Sequence, residues 1–302
     1  MKKLMLALAA GAMALTATAA MAQDKLIRVV RGAILDELRS VDWVPRSVRA
    51  KARGLEKAYA KLESIINKIG YPDTWRDYSR LEAKAGPFVA NLVRANEFET
   101  ARVLRKIGRP TDRKEWGMTP QTVNASYNSA NNEIAFPAGI LQPPFFDMNA
   151  DDATNYGAIG AVIGHEISHS FDNLGALFDK DGKLHNWWTP QDLARFESAG
   201  DALAAQFSQY KAFDDLPVNG KLSLGENIAD VAGLATAYDA YQLSLQGKPG
   251  ETLEGFTPDQ RFFLGFAQAW RGKYRDEALR NAILTDVHAP GRFRAQTVRN
   301  LD

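Results

Sequence analysis

Residues 164–169 read Gly164-His165-Glu166-Ile167-Ser168-His169, a run whose residue types and spacing suit metal-assisted hydrolysis. Four residues on an α-helix turn through one revolution plus about 40°, so His165 and His169 project from nearly one face with Glu166 beside them. Two imidazoles so placed can share one metal ion. Zinc suits them, because it takes nitrogen ligands at about 2.0–2.1 Å and keeps an open position for water when three protein ligands are supplied. Glu166 then stands where it can take a proton from that water. The competing reading is a surface helix whose histidines and acid are merely solvated.

A catalytic zinc site needs a third protein ligand, and the run Leu224-Gly225-Glu226-Asn227-Ile228-Ala229-Asp230 is the best source of one, entering an apolar helix 57 positions after His169. Glu226 and Asp230 again lie four apart and share a face. Glu226 could bind the metal while Asp230 accepts the second ring N–H of a ligating histidine, fixing its tautomer and orientation. Ser223 with Glu226 also fits a capping box, in which Glu226 only caps the helix start, and both readings stand at this level.

The chain has four histidines. His185 lies in a run ending in Trp187-Trp188, and His288 lies two residues before Pro290, hence outside a helix interior. A loop histidine followed by Arg294 could supply cationic donors to a developing oxyanion and a substrate carbonyl, against the alternative of an ordinary surface loop.

The elements that must carry these residues are mostly helical. Val48, Ala52, Leu55, Tyr59, Leu62 and Ile66 form a stripe at helical spacing that predicts a helix ending at Gly70. A second helix is predicted from Pro87 to Ile107, stopped by Gly108. Thr189-Pro190 opens a stripe through Leu193, Phe196, Leu203 and Phe207, and Thr257-Pro258 opens another with Phe262, Phe263, Phe266 and Trp270. Both aromatic stripes read as core. Thr122–Tyr127 and Glu133–Phe136 flank a polar turn and predict a β-hairpin. Asp179-Lys180-Asp181-Gly182 lacks the later ligand positions of a calcium loop and reads as a turn.

At 302 residues and 45% hydrophobic, the chain can bury a full core in one large or two modest domains, which excludes a disordered protein. Its net charge of +1 hides an asymmetry: residues 23–115 carry 21 Lys/Arg against 13 Asp/Glu, and residues 116–302 carry 14 against 23. The basic part has no stacking aromatic motif and alternates its charges with acids, so it reads as a solvated helical face and nucleic acid is not an expected partner. Lys2 and Lys3, an apolar run from Leu4 to about Leu15, and Ala20-Met21-Ala22 predict a secretory signal over residues 1–22. That run is short for a membrane span, so no stable membrane anchor is expected. With no cysteine, a cysteine-linked lipid anchor and disulfides are excluded.

Val123-Asn124-Ala125-Ser126-Tyr127, the run from Phe136 to Phe146, Gly160 to Asp172, Asp181-Gly182 with Trp187-Trp188, Gly225-Glu226 to Asp230, and His288-Ala289-Pro290 with Arg294 occur in fixed order. Together they resemble the neprilysin/endothelin-converting-enzyme family of zinc metalloendopeptidases. Gly70 to Trp75 and Glu115 to Gln121 look like bacterial members, so the resemblance covers nearly the whole mature chain. It implies a thermolysin-like zincin catalytic domain over residues 116–302, mainly α with a small β-hairpin or sheet. It further implies one zinc ion on His165, His169 and Glu226, with Glu166 as base. Asp230 would support a ligand histidine, and Asp172 is a candidate for the same task. Asn124 and the Ala125 backbone would hold the substrate chain, while His288 and Arg294 would face the scissile bond.

Members of that family carry several hundred residues ahead of this region as a helical lid, and here about 100 separate the signal from Asn124. Residues 23–115 are therefore expected to be a basic helical remnant with most of the lid missing, and the family's tail beyond residue 302 is expected to be absent too. The reading is an exported zinc metalloendopeptidase, periplasmic or extracellular, that cuts oligopeptides before hydrophobic residues. The rival readings are a zinc-binding, catalytically impaired short homologue and a metal-free helical interaction protein of the cell envelope.

Overall fold

The structure, a computed structural model, describes residues 60–301 together with Leu26, Arg28, Val30, Lys57 and Ala58. The expected signal segment and the first four positions of the Val48 stripe lie outside the described residues.

A helix ends at residue 63, and the chain enters strand β1 (Ile66–Gly70). This corrects the helix expected to reach Gly70. Short apolar runs fit either period, and here strand pairing wins: Ile66 lies opposite Glu133 and Ile69 opposite Phe136 in a parallel ladder. Strands β2 (Ser126–Asn128) and β3 (Glu133–Pro137) form the expected hairpin, with Ser126 opposite Ala135. β3 lies between the other two strands. Every residue of β3 is buried, so its backbone groups need partners on both sides.

Helix α1 (Phe88–Leu104) ends just before Gly108, whose φ of +74° is left-handed, as the glycine stop predicted. Helix α2 (Asp152–Asn155) passes through a π-helical turn at Tyr156–Gly160 into α3 (Ala161–Ser168), in which every residue is buried. Helix α4 (Pro190–Phe207) is opened by Thr189, whose side chain accepts from the Asp192 amide. A two-stranded ribbon, β4 (Lys211–Phe213) and β5 (Leu216–Pro217), leads to the long helix α5 (Leu224–Ser244). Thr257 and Gln260 form a reciprocal capping box at the start of α6 (Pro258–Ala269). Helices α7 (Asp276–Thr285) and α8 (Gly291–Arg294) complete a mainly helical chain with small sheets. Among the described residues, no helix is long and apolar enough to cross a membrane.

One core joins β3, α3, α5 and α6. Ile134 of β3, Ile163 and Ile167 of α3, Leu234 of α5 and Phe262 of α6 are fully buried together, and Leu62 enters the same core from the basic segment. The boundary drawn at residues 115 and 116 does not interrupt it. Phe262 and Phe266 are core, as their stripe predicted, and Phe263 and Trp270 pack against them partly buried, Trp270 also lining the cleft described below. A smaller cluster of Phe207, Val218, Ala289 and Phe293 anchors the loop that carries His288. The Asp179 turn is realised, its carboxylate accepting from the amides of Asp181 and Lys183.

Candidate active site

Helices α3 and α5 cross at two glycines. A Cβ on Gly164 would lie 2.5 Å from the Gly233 carbonyl oxygen, and one on Gly233 would lie 2.3 Å from the His165 amide nitrogen. Only hydrogen fits on either side. Backbones this close bring the polar face of α5 against the ring of His165.

The consequence is a cluster in which three ligand atoms converge. His165 Nε2 and His169 Nε2 are 3.0 Å apart, and Glu226 Oε2 lies 3.2 Å from the first and 3.6 Å from the second. A tetrahedral ion with bonds of about 2.0–2.1 Å separates its ligand atoms by about 3.3–3.4 Å, so the spacing fits zinc. Glu226 Oε2 is also buried with no hydrogen-bond partner, which a metal would remedy. Among the described residues, His165, His169 and Glu226 are the group of acids and histidines close enough to hold one ion. Ser223 makes no side-chain cap to the start of α5, so the capping-box reading of Glu226 gives way to the ligand reading.

Carboxylates behind the histidines set their tautomers. Asp230 Oδ1 is 2.8 Å from His165 Nδ1, and Asp172 Oδ2 is 2.6 Å from His169 Nδ1. With each Nδ1 donating outward, each Nε2 presents a lone pair inward. Arg294 donates to both oxygens of Asp230, at 2.7 Å each, and its guanidinium lies 3.6 Å from the centre of the Trp270 ring. Burial alone would raise the Asp230 carboxyl, but Arg294 and His165 hold it down at about 2. It stays an acceptor throughout the neutral range.

Glu166 is 6% exposed. Burial raises its carboxyl above the ordinary range, against the opposing pull of His165 and His169, a direction that suits a proton acceptor. Glu226 shifts the other way: burial favours its neutral form, yet the three imidazoles around it hold it well below the carboxylate range. His288 Nε2 approaches Glu226 Oε2 at 3.2 Å, and Asp286 Oδ1 is 2.8 Å from His288 Nδ1. The neighbouring Glu226, ahead of Asp286, raises the imidazole above its ordinary value against partial desolvation.

The cluster opens into a cleft of about 470 Å³, a size typical of ligand sites. Asn124 and Ala125, on the run leading into β2, line it together with Glu166, the His165, His169 and Glu226 cluster, and His288. Every sequence-predicted site residue therefore lies in one place. Arg294 lines the cleft too, 6% exposed and engaged by Asp230. His185 is exposed and does not line the cleft. Sequence reasoning missed Trp270, masked by its place in a core stripe, and the glycine crossing, whose signal was an isolated glycine inside an apolar helix.

A helix-borne His-Glu-His set completed by a glutamate from a crossing helix defines a metallopeptidase class, and comparison with known proteins agrees. Residues 124–302 match the model of peptidase family M13. The chain belongs to this family. It is 40% identical over 283 residues to an endothelin-converting enzyme homolog of Locusta migratoria, covering 90% of this chain and 38% of that protein. It is also 40% identical over 287 residues to neprilysin of Homo sapiens, covering 90% and 37%. Among solved structures, the zinc metalloprotease ZMP1 of Mycobacterium tuberculosis in complex with an inhibitor superposes with a TM-score of 0.89 at 43% identity, over 94% of this chain and 43% of that one. PepO of Lactobacillus rhamnosis superposes at 0.82 and 35% identity, over 94% and 43%. The chain thus spans under half the length of each of these relatives.

Proposed function

We propose that this chain is a zinc-dependent metalloendopeptidase with a thermolysin-like zincin site, acting on oligopeptides. The observation that carries this reading is the convergence of His165 Nε2, His169 Nε2 and Glu226 Oε2 beside the buried carboxylate of Glu166. Zinc held there supplies a Lewis acid for the scissile carbonyl and acidifies water.

The chain's own residues do the rest. Glu166 accepts the proton of the attacking water and passes it to the leaving amine. His288 donates from Nε2 to the oxyanion as charge develops, the kind of contact whose loss costs about 10²–10³ in rate. Asn124 and the Ala125 backbone hold the substrate chain along the free edge of β2, by main-chain pairing of the sort an exposed strand offers. Asp230 and Asp172 orient the ligand histidines, and Arg294 keeps Asp230 ionised. Ile140, Phe145, Val162 and Trp270 give the cleft an apolar wall, which supports cleavage before a hydrophobic residue. The basic, apolar and small-residue order of residues 1–22 supports export.

The test is a time course on a mixed peptide library, with and without chelator, for wild type and Glu166→Gln. The variant should retain zinc while hydrolysis falls by at least about 10², as expected for losing a general base. Cleavage within about tenfold of wild type would remove Glu166 from that role.

A further inference from the structure

Lys61 is a basic residue of the segment expected to be a solvated face, yet it is 1% exposed. Its Nζ donates at 2.6 Å to each of three backbone carbonyls, those of Ser170, Gly175 and Phe178. The rings of Phe171 and Trp187 flank the ammonium, with centres at 5.7 Å and 6.0 Å. Three donors meet three acceptors, which offsets the large cost of burying a charge. Burial pushes the amine down to about 8 while the charges of Asp172 and Asp179 pull it upward, so the charged form predominates at neutral pH.

The three carbonyls belong to the loop that begins immediately after His169. Within that loop, Asp172 uses Oδ2 for His169 Nδ1 and Oδ1 for the amides of Leu174 and Gly175. Gly175 allows the loop to close, since a Cβ there would lie 1.7 Å from the His169 carbonyl oxygen. The ammonium therefore sits at the centre of the turn that aims Asp172. The Lys61 carbonyl also accepts from Asn132 Nδ2, and Asn132 Oδ1 accepts from the Tyr127 hydroxyl of β2.

We propose that Lys61 is a positioning residue for the metal centre: its ammonium gathers the carbonyls of Ser170, Gly175 and Phe178 and thereby fixes Asp172 against His169. The inference rests on the zinc reading above. Lys61 does not line the cleft, and its ammonium acts through the loop that carries Asp172.

The experiment measures zinc affinity by competition with a chromophoric chelator, alongside melting of the metal-free protein. Lys61→Met should melt cooperatively and bind zinc about tenfold more weakly, the lower end of what loss of an outer-shell partner costs. In an Asp172→Ala background the same change should cost less than about threefold, because residues acting through one contact are not additive. Lys68 is the comparator for general damage: it is also buried, and it pairs with Glu133 at 2.6 Å. Lys68→Met should lower the melting temperature and leave zinc affinity unchanged. If Lys61→Met does not fold, Lys61→Arg keeps the charge on a planar fork that cannot meet three converging carbonyls, and it should weaken zinc at least about threefold. Wild-type affinity in a folded Lys61 variant, or full additivity with Asp172→Ala, overturns the inference. Failure of the wild-type protein to take up zinc would instead overturn the metal reading on which it rests.

Discussion

Gly164 and Gly233 meet backbone to backbone where α3 crosses α5, and this contact sets the distance between His165 and Glu226. A Cβ on Gly233 would stand 2.3 Å from the His165 amide nitrogen. Gly233→Ala must therefore part the helices, at a cost of about 1–3 kcal/mol for overpacking. The expected outcome is a melting temperature lower by roughly 2–10 °C and weakened zinc binding. Gly160→Ala on the adjoining π turn is the control, because its Cβ would meet nothing closer than 3.6 Å. Equal behaviour of the two variants would detach the crossing from the metal site.

Glu226 and Asp230 occupy successive turns of α5 and should fail differently. Glu226→Ala removes a ligand and should lose most of the zinc, since two histidines leave an incomplete set. Asp230→Asn leaves all three ligands but disturbs the His165 tautomer, and should weaken zinc by about 10–100-fold. Elemental analysis of the purified variants, with chelator competition for Asp230→Asn, separates the two. A Glu226→Ala protein that keeps one zinc per chain would show that another group completes the site.

His288 is 47% exposed in its side chain and reaches the cluster from a loop. His288→Ala should lower kcat and kcat/KM together with little change in KM, the pattern of a contact made mainly in the transition state. Steady-state kinetics on one defined peptide decides this. A raised KM at unchanged kcat would make His288 a substrate-binding residue.

In protein stripped of metal, the cluster makes stability depend on pH with a calculable sign. Burial pulls His169 down, but Asp172 together with Glu226 and Glu166 carries it up from 6.5 to about 10. A raised imidazole stabilises the fold fully below its unfolded value of 6.5 and loses that contribution as pH rises towards 10. His165 and His288 shift in the same direction. Glu226 is depressed, so its contribution is present above 4.5 and lost on acidification. The metal-free protein should therefore be most stable between about pH 4.5 and 6.5 and decline from 6.5 to 8. Zinc displaces these protons, so its stabilisation should grow over the same window. Melting curves with and without zinc at several pH values test both trends, and a metal-free protein equally stable at pH 6 and pH 8 would contradict the first.

Whatever depends on a few neighbouring residues could be read from the sequence. The one-turn spacing of His165 and His169, the Thr-Pro openings of α4 and α6, and the β2–β3 hairpin are set by local backbone geometry and capping. Glu226 could be proposed from its partner four residues on, but its choice between capping and metal binding was open until α5 was seen crossing α3. Ile66–Gly70 became a strand because β3 lay ready to pair with it, a contact across more than 60 residues that no local period encodes. Lys61 left the basic surface for the same reason: the carbonyls that hold it lie 109 to 117 residues away and converge only in the folded chain. Charge and periodicity state what a side chain is. Only tertiary packing decides which groups surround it, because desolvation and pairing depend on neighbours that the chain brings together from a distance.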